Sequence, residues 1–189
     1  MLRTERLLLR PLTKNDEDLG RALLMAPAVM EHLGGAYTEA RLLKEMEIAT
    51  RRGAGGAIGV WCVLDGETDE KLGTGVLLPL PTEEDDTNWD LVSGEALPDA
   101  EIEVGYLLKE SAWGKGYATE ICRRLVRFAF EETALEEVVA ITSPTNDASQ
   151  NVLRKAGLRD VGMRRAYASL CPGFKITREQ WLGAVGDSA

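Results

Sequence analysis

At 189 residues, 44% of them hydrophobic and 28% charged, the chain has the size and makeup of one globular domain with a real core. Its 31 acidic residues against 22 basic ones give a net charge of −9, which argues against a nucleic-acid surface and suits a cationic partner such as an amine or a basic peptide. No apolar window reaches the length of a membrane span, Arg3, Glu5, Arg6 and Arg10 break any signal segment, and the three cysteines, Cys62, Cys122 and Cys171, lack metal-ligand or disulfide spacing, so a cytoplasmic protein is expected.

Leu7-Leu8-Leu9, between Arg6 and Arg10, reads as a short first strand that Pro11 ends. Thr13 to Asp16 supply capping residues for a helix over 16–25, with Leu19, Leu23 and Leu24 at helical spacing. A second helical pattern runs over 38–52 from a Thr38 cap, with Leu42, Met46 and Ala49 on one stripe. Residues 58–64 and 72–80 read as a hairpin joined through Asp65-Gly66, the return strand being weakened by Gly73 and Gly75. Residues 82–99 are acidic and poor in core side chains, which predicts an exposed insertion, either a substrate lid or a solvated loop.

The alternation in 101–108 sets Ile102, Val104 and Tyr106 on one strand face and Glu101, Glu103 and Gly105 on the other. Over 119–130, Ile121, Leu125 and Phe128 make a helical stripe, and 138–141 is a buried-strand run. Strand, helix and strand in this order imply a parallel pair with a crossover helix. Asn146 or Asp147 caps a helix through Lys155, which Gly157 stops. Residues 161–170 and 174–177 read as closing strands, with Trp181 near a polar tail.

Between the strand and the long helix lies Ser111-Ala112-Trp113-Gly114-Lys115-Gly116-Tyr117-Ala118-Thr119. Free amides and the helix dipole converge where a glycine turn meets a helix start, so this stretch reads either as an ordinary turn or as a seat for a phosphate or pyrophosphate. It is not a Walker loop, because Lys115 precedes Gly116 and Tyr117 follows it. A dinucleotide fingerprint needs a third glycine where Thr119 stands. With His32 the single histidine, a Ser-His-Asp triad around this loop is not expected.

Glu101-Ile102-Glu103-Val104-Gly105-Tyr106-Leu107-Leu108, Trp113-Gly114-Lys115-Gly116-Tyr117-Ala118-Thr119-Glu120, and Asn146-Asp147-Ala148-Ser149 with Leu153-Arg154-Lys155-Ala156-Gly157-Leu158 stand in one order. Together they resemble the GNAT superfamily of acetyl-CoA-dependent N-acetyltransferases. Within it they look most like the branch that acetylates ribosomal-protein N-termini, as does the opening Thr4-Glu5-Arg6-Leu7-Leu8-Leu9-Arg10-Pro11. The resemblance implies one domain over 1–189 of the α/β (α+β) class. Its sheet would be mixed and mostly antiparallel, with six to seven strands, flanking helices and a splayed parallel pair formed by 101–108 and 138–143. It implies acetyl-CoA as co-substrate and no metal. The backbone of Leu107 and Leu108 would pair with pantetheine, and amides of Gly114, Lys115, Gly116, Tyr117, Ala118 and Thr119 would hold the pyrophosphate. Asn146 would hydrogen-bond the pantetheine, and Ser149 would lie near the sulfur.

The chain departs from the wider superfamily at Ser111, where Gln or Arg usually begins the loop, and at Leu153, where many members carry a Tyr general acid. In the branch it resembles, a serine near Ser149 is given that role. Attack on a thioester needs a neutral amine, hence a base. Without a nearby histidine, Glu103 is the first candidate and Glu101 the second, on the same strand face. Both also read as solvated strand residues or structural ion pairs. Trp113 is expected to pack under the loop, Trp61 and Trp181 in the core or its shell, and Arg123, Arg124 and Arg154 on solvated helix faces. The expected function is acetyl transfer from acetyl-CoA to a primary amine, a protein N-terminus or a small amine, by direct attack in a ternary complex. The alternative is a non-catalytic CoA-binding module.

Overall fold

The computed structural model describes residues 1–186. In chain order its elements are β1 (Leu2–Arg3), β2 (Leu7–Pro11), α1 (Glu17–Leu24), α2 (Glu39–Ile48), β3 (Arg52–Gly53), β4 (Ile58–Asp65), β5 (Lys71–Pro79), β6 (Ile102–Leu108), α3 (Tyr117–Glu132), β7 (Glu137–Ile141), α4 (Asp147–Lys155), β8 (Arg159–Ala166), β9 (Ser169–Thr177) and α5 (Arg178–Gly186). One sheet runs in the order β1-β2-β4-β5-β6-β7-β9-β8, with β3 added to β4. Every pairing is antiparallel except β6 with β7. Setting aside the two-residue β1 and β3 leaves seven strands, the mixed sheet that the sequence implies.

Helices cover both faces. The stripe on α3 buries Ile121, Cys122, Leu125, Val126 and Ala129, and Phe128 meets the buried Trp61 edge-on with ring centres 5.8 Å apart. Gly75 explains the closeness of that contact. A Cβ there would lie 2.8 Å from Ile121 and 2.9 Å from Leu125, so a residue that looks like a weakness in β5 is what lets the helix reach the sheet. On the opposite face, α1 crosses α2 at Gly20, where a Cβ would meet the Met46 sulfur.

The most deeply buried polar side chain of this core is Asp16, at the start of α1. Arg10 binds it through two nitrogens at 2.7 Å each, Lys71 reaches it at 3.0 Å, and the Thr13 N–H and hydroxyl donate at 2.9 Å. Burial alone would raise this carboxyl, but the hydrogen bonds from Arg10, Thr13 and Lys71 outweigh it and hold it well below the usual range. Asp16→Ala, which strands two cations, is expected to cost about 3–5 kcal/mol, read as a fall in the urea midpoint. Because the folded carboxyl is the stronger acid, its contribution is complete above about pH 4 and is lost as pH falls below that. The stability gap between wild type and Asp16→Ala should therefore narrow steadily as pH falls below about 4.

Two expectations need correction. Residues 161–170 are not one strand, because the chain reverses at Tyr167 and Ala168, with φ of +51° and +53°, so that Ala166 pairs with Ser169. The helix expected over 38–52 ends at Ile48, and Arg52 and Gly53 pair with β4 instead. The acidic stretch 82–99 carries a single 3-10 turn, Trp89–Leu91. Most of it is exposed, but Thr87 and Val92 are buried, and Trp89 and Leu97 pack on the core.

Candidate active site

β6 and β7 meet at one register position, Glu103 opposite Val139. β5 secures β6 along its outer side from Ile102 to Leu108, and β9 secures β7 from Glu137 to Ile141. Among the described residues no further position pairs the inner sides, so the sheet opens toward the carboxyl ends of both strands. That is where open α/β sheets take their ligands.

The register decides which backbone faces the opening. The Lys109 N–H donates to the Leu72 carbonyl at 2.9 Å, and the Glu101 carbonyl accepts from the Leu80 N–H at 2.8 Å. Odd-numbered residues between them thus turn their polar groups to β5, while Tyr106 and Leu108 turn theirs to the opening. Leu107 keeps its backbone on β5 and offers only its half-buried side chain. Trp113 does not pack under the loop as expected. It is 48% exposed and is tethered by its indole N–H to the Leu108 carbonyl at 2.9 Å.

Beyond β6, Gly114 and Gly116 take φ of +72° and +82°, the left-handed region that other residues avoid. A Cβ on Gly114 would meet nothing within 4 Å, and one on Gly116 only the Arg6 guanidinium at 3.5 Å. Within the chain, conformation rather than crowding is what demands glycine here. α3 begins at Tyr117 with no side-chain cap, so its first amides keep the partial positive charge of the helix start. What braces this turn could not be read from the residues around it. Arg6 donates to the Lys115 carbonyl at 2.9 Å and to Glu120 at 2.8 and 2.6 Å, and lies 4.7 Å over the Tyr117 ring. Thr4 completes the brace with a hydroxyl on Glu120 at 2.5 Å.

On the α3/α4 face of β6, the Asn146 carboxamide oxygen caps α4 by accepting the Ser149 N–H at 3.0 Å. Its NH2 group has no partner among the described residues. The Tyr106 hydroxyl lies 3.0 Å from the Ser149 hydroxyl and also donates to the Ser149 carbonyl at 3.2 Å. Burial pushes the Tyr106 phenol up. From sequence, Tyr106 stood out only as sharing a strand face with Ile102 and Val104. Leu153, at the position where the family resemblance implies a tyrosine, is 1% exposed and lies in the core.

Glu103 faces the other side of the sheet, 7% exposed. It and Ser149 therefore flank β6 from opposite faces, and the structure does not place them in contact. The Tyr167 hydroxyl donates to a Glu103 carboxylate oxygen. Burial pushes the Glu103 carboxyl up to about 7, against the hydrogen bond from Tyr167 and the charge of Arg164. Glu101, the second candidate base, is held by Arg164 in an ion pair. Arg123 and Arg154 lie on exposed helix faces as expected, Arg123 donating to the Lys155 carbonyl and Arg154 standing beside Asp160, whereas Arg124 is half-buried and donates to the Arg3 carbonyl.

On the same face as Glu103, a cavity of about 170 Å3 has apolar walls that include Leu12, Leu23, Val60, Val76 and Leu107. Glu45 and Asp86 are also in its lining. Burial raises the Glu45 carboxyl, and the charge of Asp86 adds to the effect. The Trp89 indole N–H, also in the lining, is buried without a partner. Among the described residues there is no cluster of His, Cys, Asp and Glu able to hold a metal ion.

A mostly antiparallel sheet that opens at one parallel pair, with a glycine turn and long helix at the mouth, defines the class: an N-acetyltransferase fold. Residues 6–159 match the family model described as an acetyltransferase (GNAT) domain. The FsC-acetyl coenzyme A-N(2)-transacetylase of Aspergillus fumigatus is 32% identical over 195 residues, covering 96% of this chain and 77% of that one. A putative ribosomal N-acetyltransferase of Bacillus subtilis is 35% identical over 63 residues, a third of each chain. The crystal structure of an aminoglycoside acetyltransferase with coenzyme A and kanamycin superposes with a TM-score of 0.73 at 18% identity, covering 95% of this chain and 99% of that one. The chain belongs to the GNAT acetyltransferase family, enzymes that take acetyl from acetyl-CoA.

Proposed function

We propose that this enzyme moves acetyl from acetyl-CoA to a primary amine by direct attack while both substrates are bound. The observation that carries this is the opening of the sheet beyond Glu103 and Val139, with a buried carboxylate at its inner end and bare helix amides at its mouth. In this reading the amides of Gly114, Lys115, Gly116, Tyr117, Ala118 and Thr119 hold the pyrophosphate. The backbones of Tyr106 and Leu108 and the carboxamide of Asn146 guide the pantetheine arm, and the Leu107 side chain borders it. Glu103 takes a proton from the amine, directly or through water, as nitrogen bonds to the thioester carbon. The carbon–sulfur bond breaks, and the thiolate is protonated from the Ser149 side, where Tyr106 supplies the phenol that Leu153 does not.

The acceptor approaches on the Glu103 face. A cavity with mostly apolar walls and two carboxylates in its lining suits the ammonium and short stem of a small amine, or the first residue of a peptide. The net charge of −9 favours either cation. Relatives named for aminoglycoside and ribosomal substrates point to the same two classes. The larger of two apolar clusters joins elements on both faces of the sheet, which supports reading the described residues as one domain. No described helix is long and apolar enough to cross a membrane, and we place the enzyme in the cytoplasm.

Two measurements test this reading. At a hundredfold excess over Kd, coenzyme A should add about 2.7 kcal/mol of stability, a Tm rise of roughly 5–10 °C. No rise at millimolar coenzyme A would overturn the donor site. Thiol release from acetyl-CoA, run with Ala- and Ser-starting peptides, polyamines and kanamycin, should single out one acceptor class. Donor binding with no release for any amine would favour a coenzyme-binding module instead.

A further inference from the structure

The base proposed above is itself held by a residue that the reaction scheme leaves idle. Tyr167 occupies the first position of the β8–β9 reversal, and both it and Ala168 adopt φ near +50°. Turns of this kind ordinarily use Asn or Gly, because a side chain crowds the backbone there. Such strain persists only where surroundings fix it, and it gathers at working sites. Here the surroundings are specific. The Tyr167 N–H donates to the Pro81 carbonyl at 3.1 Å and the Ala168 N–H to the Thr82 carbonyl at 3.2 Å. The Tyr167 ring packs with Leu80, Ala166 and Val139, and Val139 is the residue that pairs with Glu103 where the sheet begins to open. From that position its hydroxyl reaches one Glu103 oxygen.

We infer that Tyr167 is a positioning residue for this reaction: it fixes one oxygen of the Glu103 carboxylate at the inner end of the opening and leaves the other oxygen for the amine. The inference rests on Glu103 being the base. The groups around that carboxylate are few. Leu78 on β5 and Val139 on β7 are apolar. Arg164 on β8 pairs with Glu101 while its charge also acts on Glu103, and Thr87 and Asp86 act on the Tyr167 phenol, Thr87 through a side-chain hydrogen bond. Tyr167 is therefore the one neutral donor on Glu103 among the described residues, and its proton stays on the phenol throughout. By favouring the charged form, the bond keeps a buried carboxylate competent as a base near neutral pH.

The test reads the carboxyl group directly, without turnover. In protein labelled with 13C at the glutamate carboxyls, the Glu103 signal is assigned by its absence in Glu103→Gln. Tyr167→Phe should move its titration midpoint up by about one pH unit. Incorporating 3-fluorotyrosine, whose phenol is a stronger donor, should move it down. Ala168→Gly, which relaxes the turn and keeps the phenol, should leave it in place. An unmoved midpoint in Tyr167→Phe, or an equal shift in Ala168→Gly, overturns the inference. If Tyr167→Phe does not fold, the fluorotyrosine protein decides alone, and no downward shift sinks it. Glu103→Gln that kept full activity would instead remove the base assignment, a separate failure.

Discussion

Glu103→Gln should lower kcat by about 100- to 10,000-fold while coenzyme A affinity stays within about twofold. Glutamine keeps the volume and can still accept the Tyr167 hydrogen bond, so packing is preserved and only proton acceptance is lost. The pH behaviour adds a second signature. Wild-type kcat/KM should rise through neutral pH as the carboxyl, pushed up to about 7 by burial, ionises. The variant should lack that limb. Stability should move the opposite way. A folded carboxyl that binds its proton more tightly than the unfolded one contributes most below about pH 4, and that contribution drains away as pH rises to about 7. The buried ion thus costs the native enzyme roughly 3 kcal/mol at pH 8. Glu103→Gln should therefore melt at the same or a higher temperature there, despite being nearly inactive. A full-rate variant would show that the proton leaves by another route.

Gly116→Trp should weaken coenzyme A binding by more than about 100-fold in calorimetric titration, since each 1.4 kcal/mol is tenfold. Two effects combine. At φ +82° any side chain strains the backbone by about 1–2 kcal/mol, which tilts the first amides of α3. The indole would also occupy the space before those amides and push against Arg6, whose guanidinium stands 3.5 Å from where a Cβ would be. Gly116→Ala carries the strain with less bulk and should lose about tenfold. Full affinity in the tryptophan variant would mean that the diphosphate sits elsewhere.

Much of this architecture was legible in the chain because it depends on short-range chemistry. The stripe on α3, the apolar run of β7 and the glycines at 114 and 116 each satisfy a local rule, and together they dictate a parallel pair with a loop at its mouth. The Tyr167 reversal was not legible, because tyrosine and alanine are not turn formers and only tertiary contacts impose φ near +50° on them. Without that turn, nothing in the sequence linked Tyr167 to Glu103, 64 residues earlier. Alternation correctly set Glu103 and Tyr106 on opposite faces of β6, but it could not say which face α4 would cover. Ser149 was therefore named without its partner, and its separation from Glu103 was not foreseen. Gly75 misled for a related reason: its missing side chain is a defect judged by strand propensity and a necessity judged by the helix above it.

The brace from Arg6 to Lys115 and Glu120 has a practical corollary for redesign. The opening residues of a protein are commonly treated as expendable leader, free to be trimmed or replaced by a purification handle. Here Thr4 and Arg6 brace the glycine turn that we propose as the donor mouth, although more than a hundred positions lie between them. An enzyme shortened past Arg6 would keep a folded centre and lose its hold on the nucleotide end of its cosubstrate.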